Sequence, residues 1–263
     1  MKRRIPFVGS RNTVSVIRLS GLIAAGGSLN DAKLAPVIER AFARGKPSAV
    51  ALALNSPGGS AAQSSLIAAR IRRLAVEKKV RVYAFVEDVA ASGGYWLACA
   101  ADEIWVDENS VVGSIGVISS GFGLDEFIGR YGISRRVHTA GKSKSMLDPF
   151  QPEKPADVER LMVVLEQIHD SFKTHVSARR EGKLNEDNDL FTGDIWAGRR
   201  AVEQGLADGV GHLVPKMKEI LGDKTRFRVY EPKRGLFRRL GSRVFSDALF
   251  EVEERAEFAR FGL

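Results

Sequence analysis

Three apolar runs open the chain, "TVSVIRLSGLI", "SAVALALNSPGG" and "VRVYAFVEDVA", and each leads into a stretch with helical spacing. Short apolar runs bounded by Gly, Pro and Ser read as buried strands. Between them lie "DAKLAPVIERAFARG", with Asp31 placed to cap a helix and Gly45 to stop it, and the long amphipathic "SAAQSSLIAARIRRLAVEKK". Strands alternating with helices leave few topologies open. Parallel strands need crossover connections, and helices supply them while covering the faces of the sheet. The expected fold class is therefore α/β with much parallel pairing.

The pattern continues. "ASGGYWLACAA" reads as a short helix, "DEIWVDE" as a strand, "SVVGSIGVI" as a turn and strand, and "FGLDEFIGRYG" as a helix. The proline-bearing "GKSKSMLDPFQPEKPA" reads as a loop. Asp157 then stands ready to cap "VERLMVVLEQIHDSFKTHVSARRE", and "GDIWAGRRAVEQGLADGV" reads as a helix closed at Gly205. Apolar faces recur until about residue 222, so we place one core at 1–222 and a basic, partly helical extension at 223–263. The end, "SDALFEVEERAEFARF", reads as a last amphipathic helix or a tail that orders on a partner.

Charge narrows the partners. The chain has 40 Lys and Arg against 32 Asp and Glu, a formal net charge of +8. Much of the excess lies in "KTRFRVYEPKRGLFRRLGSR", Lys224 to Arg243, where basic and aromatic residues interleave. This suits a solvated basic face or peripheral contact with an anionic membrane. No nucleic acid is expected, because no zinc-finger spacing or single-strand-binding motif accompanies the stretch. Basic residues open the chain, but Arg11, Asn12 and Thr13 interrupt the apolar region a signal peptide needs. No apolar run reaches the length of a membrane span. The expected location is the cytoplasm, with the inner membrane face as the place for peripheral contact. The single cysteine, Cys99, has small apolar neighbours and reads as a buried structural thiol.

Several chemistries drop out. His138, His169, His175 and His212 show no metal-ligand spacing, so no metal is expected. "GSIGVISSGFG" lacks the dinucleotide fingerprint, and no phosphate-binding loop occurs, so no cofactor is expected. A serine in "ASGG" and a lysine in "GKSKS" remain. Ser92 at a helix start has unpaired amides beside it, suited to a developing oxyanion. Taken alone, the segment favours the plainer role of helix N-cap. Lys144 can act as a base only when neutral, through burial or nearby positive charge. A solvated loop lysine is the plainer reading there too. Ser114 is a candidate to hold its amine. "NSPGG" permits a turn that presents amides at the sheet edge, or a simple strand-to-helix turn.

Six blocks in one order settle the resemblance: "VIRLSGLI", "NSPGG", "ASGGYWLA", "VGSIGV", "GKSKSMLDPF" and "FTGDIWAGRRAVEQGLADGVG". Together they resemble the signal peptide peptidase A family, the serine–lysine peptidases of family S49, over most of the chain. The resemblance implies a Clp protease/crotonase-like spiral core of ββα units with flanking helices. It implies Ser92 as nucleophile, Lys144 as general base, Ser114 as the residue orienting that base, and the amides of Gly59 and Gly93 as oxyanion donors. Lys142 becomes a neighbour that adds positive field. It also implies a ring-shaped homo-oligomer and an extended peptide substrate such as a signal peptide. Two other readings stay open: a crotonase-like acyl-thioester enzyme, and an inactive scaffold at the membrane surface.

Overall fold

A computed structural model describes residues 12–27, 29–141, 143–232, 252 and 254–263. The chain divides into two compact units: unit 1, Met1–Ile115 with Thr174–Leu263, and unit 2, Gly116–Lys173.

Unit 1 is built on one sheet. Its first elements are β1 (Thr13–Ser20), α1 (Asp31–Ala43), β2 (Ala49–Ser56), α2 (Ala61–Lys78), β3 (Val82–Ala91), α3 (Gly93–Ala98), β4 (Glu103–Val106) and β5 (Val111–Gly113). The later ones are β6 (Ile195–Ala197), α6 (Gly198–Glu203), β7 (Gly209–Val210), α7 (Leu213–Leu221) and β8 (Arg226–Tyr230). The order across the sheet is β6-β5-β3-β2-β1-β8, with β4 beside β3 and β7 beside β4. All pairs are parallel except β5 with β6. β8 follows residue 222 and ladders onto β1, from Thr13 with Arg226 to Ile17 with Tyr230.

Side-chain alternation explains how both faces are covered. On one face Val14, Val16, Ala49, Ala51, Ala53, Tyr83 and Phe85 pack with Met217 of α7, and the small alanines let that helix come close. Ile17, Leu19, Leu52 and Leu54 are fully buried, as are Leu34 and Ile38 of α1 and Ile67 and Ile71 of α2. Burying each such side chain stabilises by about 1.5–3 kcal/mol. β3 changes partner along its length. Tyr83–Val86 pair with β4, Val89–Ala91 pair with β5, and exposed Glu87 and Asp88 lie between.

Unit 2 contains α4 (Asp125–Arg130) and most of α5 (Pro155–Arg179), whose last turns belong to unit 1. It buries little. α4 has no buried residue, and Phe122, Phe127, Tyr131, Ile133, Met162, Val163 and Val164 are exposed.

Local details depart from the expected pattern for clear reasons. The α1 cap is Asn30, whose side chain accepts from the Lys33 amide at 2.9 Å, while Asp31 pairs with Arg70 at 2.7 Å. α5 starts at Pro155, a residue pre-set for the first helical position, so Asp157 lies within the first turn and pairs with Arg160. Ile195–Ala197 form a strand ahead of α6, because they ladder onto β5. Residues 254–259 are helical. Lys142 and residues 233–250 lie outside the described residues.

Candidate active site

The turn after β2 is pinned from below. The Ser56 hydroxyl donates to the Gly21 carbonyl at 2.7 Å and accepts from the Gly58 amide at 3.3 Å. The Ile23 amide donates to Gly58, and the Ser60 amide donates to Ile23, both at 2.7 Å. Gly59 holds φ +127°, and a Cβ there would run into the Ile23 carbonyl oxygen. Only glycine fits that backbone. Ser60 then caps α2 by accepting from the Gln63 amide.

The end of β3 closes against this turn. A Cβ built on Gly58 would lie 2.8 Å from the Ser92 Cβ and 2.9 Å from the Gly93 nitrogen. One built on Gly93 would sit 3.4 Å from the Gly59 nitrogen and would collide with the Ser64 hydroxyl. The lack of side chains lets the two turns touch. Among the described residues, neither the Gly59 nor the Gly93 amide donates a hydrogen bond. Two free donors thus stand side by side next to Ser92.

Ser92 has φ +50° and ψ −121°. A non-glycine residue in such a conformation costs about 1–3 kcal/mol and persists only where its surroundings impose it. Its amide donates to the Gly113 carbonyl at 2.8 Å, and its carbonyl accepts from Trp96 at 3.0 Å. It occupies the N-cap position of α3, yet its side chain makes no capping hydrogen bond. The hydroxyl is therefore not engaged in the plainer role, and the residue is partly exposed.

Ser114 mirrors this arrangement one strand over. Ala91 pairs with Gly113, so Ser92 and Ser114 follow matched positions on adjacent parallel strands, which lie about 4.8 Å apart. Ser114 also has φ +50°, and its amide donates to the Asp194 carbonyl at 2.6 Å. That carbonyl comes from the start of β6, and Trp196 of the same strand packs its ring on Gly113. Sequence reasoning gave these residues no part, because a backbone acceptor leaves no side-chain signal.

The helix behind Ser92 is locked. All six residues of α3 are buried. Arg179 of α5 donates to the carbonyls of Cys99 and Ala101, each at 2.8 Å, placing a cation at the negative end of α3. Tyr95 donates to the Leu206 carbonyl at 2.8 Å, and Arg180, 2% exposed, pairs with Asp208 at 2.7 Å. His175 stacks on Trp96 with ring centres 4.8 Å apart and stays close to that residue's carbonyl. Burial lowers the His175 pKa, and burial pushes the Cys99 thiol up to about 12, which leaves it inert.

Unit 1 thus brings together Gly59, Ser92, Gly93 and Ser114. Lys144 belongs to unit 2, where it is exposed in a turn and its amide donates to the Gly141 carbonyl at 3.2 Å. A cavity of about 420 Å³ elsewhere in unit 1, lined by Phe85, Asp88, Asp107 and His212 among others, includes none of the candidate residues. Asp107 in its wall has a pKa held near 2 by hydrogen bonds from His212 and Asn109.

These features define an α/β fold of the Clp protease type with a strained serine at the mouth of a buried helix. Solved structures share it, among them two forms of one protease. A serine-to-alanine mutant of the membrane-bound stomatin-specific protease 1510-N has a TM-score of 0.53 and 15% identity, over 85% of this chain and 100% of that one. A lysine-to-alanine mutant of the same protease, in complex with a substrate peptide, has a TM-score of 0.54 and 13% identity, over 92% and 98%. The model of peptidase family S49 matches residues 74–220, more than half of the chain, and the chain belongs to that family. A protein of Brucella abortus named Na(+)/H(+) antiporter NhaA is 43% identical over the whole of this chain, which spans 39% of that protein. The putative signal peptide peptidase SppA of Enterococcus faecium is 33% identical over 66% of this chain and 51% of its own length.

Proposed function

We propose that the chain is a serine endopeptidase. Ser92 attacks the carbonyl of an extended peptide, and neutral Lys144 accepts its proton. The amides of Gly59 and Gly93 donate to the tetrahedral oxyanion. Lys144 returns the proton to the leaving amine, then activates water to hydrolyse the acyl-enzyme. Ser114 orients the Lys144 amine.

One observation carries this reading: two unbonded glycine amides flank a strained serine whose hydroxyl caps nothing. Family membership and protease relatives support the peptidase class. A base at Lys144 must be kept neutral, and the lysine is exposed in the single chain. Assembly with further copies into a ring is the proposed source of that burial. The exposed apolar side chains of unit 2 support a partner of that kind. Signal-peptide-like segments suit an extended groove, because backbone hydrogen bonds bind them with little dependence on sequence.

The test is hydrolysis of a quenched fluorescent peptide library, with parallel labelling by a serine-directed phosphonate. The wild-type chain should cleave and be labelled, with activity climbing toward alkaline pH as a lysine base requires. Ser92→Ala should abolish both signals and Lys144→Ala should abolish turnover. Hydrolysis that survives either substitution overturns the proposal. Acyl-thioester turnover with neither labelling nor peptide cleavage would move the reading to the crotonase-like enzyme.

A further inference from the structure

The parallel strands give unit 1 two distinct edges. Ser92 and Ser114 stand where β3 and β5 end. The opposite edge includes the connections that enter β4 and β7, where Asp102 and Asp208 pair with Arg72 and Arg180, and three others: residues 44–48 before β2, 79–81 before β3 and 222–225 before β8. Because β1, β2, β3 and β8 all run the same way, these three connections share one edge.

Cations collect there. Arg44, Lys46, Lys78, Lys79, Lys224 and Arg226 are all exposed, and none is ion-paired among the described residues. Asp223 is the only carboxylate on the three connections. Elsewhere in unit 1 cations are commonly matched, as Arg70 is by Asp31, Arg72 by Asp102 and Arg73 by Glu77. The edge is also rigid. Ser48 donates to the Thr13 carbonyl at 2.8 Å, Arg226 to Asn12 at 2.9 Å, and Val50 to Arg81 at 3.0 Å. The Asn12 side chain donates to Leu221 at 2.6 Å, tying α7 to the start of β1.

We propose that this edge docks on an anionic lipid surface. Six exposed cations without a carboxylate partner among the described residues, four on the connections and two at the adjoining ends of α2 and β8, form a broad positive face, which attracts negatively charged headgroups within a Debye length. The three connections carry no aromatic residue to stack a nucleobase. Exposed aliphatic side chains belong to the flanking elements, Val76 on α2 and Val229 on β8. Basic residues mixed with apolar ones suit a lipid interface better than a polynucleotide.

The docking does not depend on the peptidase reading, but it bears on it. At about 3.3 Å per residue, strands of this length span roughly 25 Å. Ser92 would then face away from the lipid, toward peptide already clear of the bilayer.

Vesicle co-sedimentation of the full chain tests the proposal, with phosphatidylcholine alone against phosphatidylcholine mixed with phosphatidylglycerol. The wild-type chain should bind the mixed vesicles only and be released by salt. Arg44→Glu/Lys224→Glu/Arg226→Glu should weaken binding by about 100-fold or more, given roughly fivefold per cation. Arg199→Glu/Arg200→Glu, at cations already paired with Glu108 and Glu203, should stay within about fivefold of wild type. Thermal melts establish that each variant folds. If the triple variant does not, Lys78→Gln/Lys79→Asn should lose about tenfold or more, Asn suiting the left-handed φ of 53° at residue 79. Equal binding to neutral vesicles, unchanged binding of these variants, or tighter binding to a single-stranded oligonucleotide at the same salt overturns the proposal.

Discussion

Unit 1 and unit 2 use apolar residues in opposite ways. In unit 1, α1, α2 and α7 turn Leu34, Ile38, Ile67, Ile71 and Met217 inward against a sheet whose central strands are almost wholly buried. In unit 2, α4 buries nothing, and α5 leaves Met162, Val163 and Val164 in solvent. Unit 1 builds a large core of its own and holds a strained serine between buried elements. Unit 2 keeps apolar surface free, the condition of a region that completes its packing with something else. The lysine proposed as base lies in the second kind of region and the proposed nucleophile in the first. Chemistry in this chain should therefore depend on assembly.

The largest effect expected is on catalysis. Ser92→Ala should lower kcat/KM for peptides by about 10⁴-fold or more, and Lys144→Ala by a similar factor. Residues acting as one unit are not additive, so the double variant should be no worse than the poorer single one. Steady-state kinetics on all three would separate a true dyad from two independent contributions. If the losses multiplied, the two residues would not share a proton.

Gly59→Ala comes next. Its Cβ has nowhere to go but into the Ile23 carbonyl, so the turn must shift and carry its amide away from Ser92. Loss of one oxyanion donor costs about 10²–10³-fold in kcat. The phosphonate labelling rate should fall with it while peptide KM stays near wild type. A KM defect alone would place Gly59 in substrate binding instead.

How much of this could be read beforehand follows the same division. The strand and helix order of unit 1 was legible because buried strands and amphipathic helices leave opposite periodicities. The glycines at 58 and 59 marked a turn with unusual dihedrals, and the structure adds that a Cβ at either would clash. What escaped was carried by backbone. The Asp194 carbonyl that holds Ser114, and the positive φ at both serines, leave no side-chain signature. β6 escaped because a three-residue edge strand is too short to show alternation. Ser92 read more naturally as a cap, and only the absence of a capping hydrogen bond separates the two roles. In unit 2 the helix α5 was legible, but not the exposure of Met162, Val163 and Val164. Periodicity reports which face is apolar and says nothing of which partner covers it.

Stability sharpens the contrast between the units. Leu52→Ala removes a fully buried side chain from the central strand β2 and should cost about 2–5 kcal/mol in chemical denaturation. Phe127→Ala, at a residue 58% exposed, should stay within about 0.5 kcal/mol at concentrations where the chain is monomeric. Under assembling conditions the order should narrow, because Phe127→Ala would then lose contacts with a second copy. Sedimentation velocity would report this as a shift toward smaller species. If Phe127→Ala destabilised the dilute monomer as much as Leu52→Ala, unit 2 would have a core of its own and the contrast would fail.

The smallest effect is a pH dependence confined to unit 1. Burial pushes the Asp208 pKa up, but hydrogen bonds from Lys183, Arg180 and the Ile104 amide outweigh it and hold the carboxyl below its ordinary value. A carboxyl depressed in the folded state binds its proton more readily when unfolded. Its contribution is thus fully present above the unfolded pKa, about 3.9, and is lost as pH falls through the lower folded value. Melting followed between neutral and acid pH should show this loss below about pH 4. In Asp208→Asn that part of the slope should vanish and the neutral-pH stability should drop, since Arg180 would be left buried without its carboxylate. Because Arg180 sits beside Arg179, which holds the carbonyl end of α3, Asp208→Asn should slow phosphonate labelling of Ser92 at one fixed alkaline pH where the sheet stays folded. Labelling of the folded variant at the wild-type rate would show that the clamp has no separate hold on the helix.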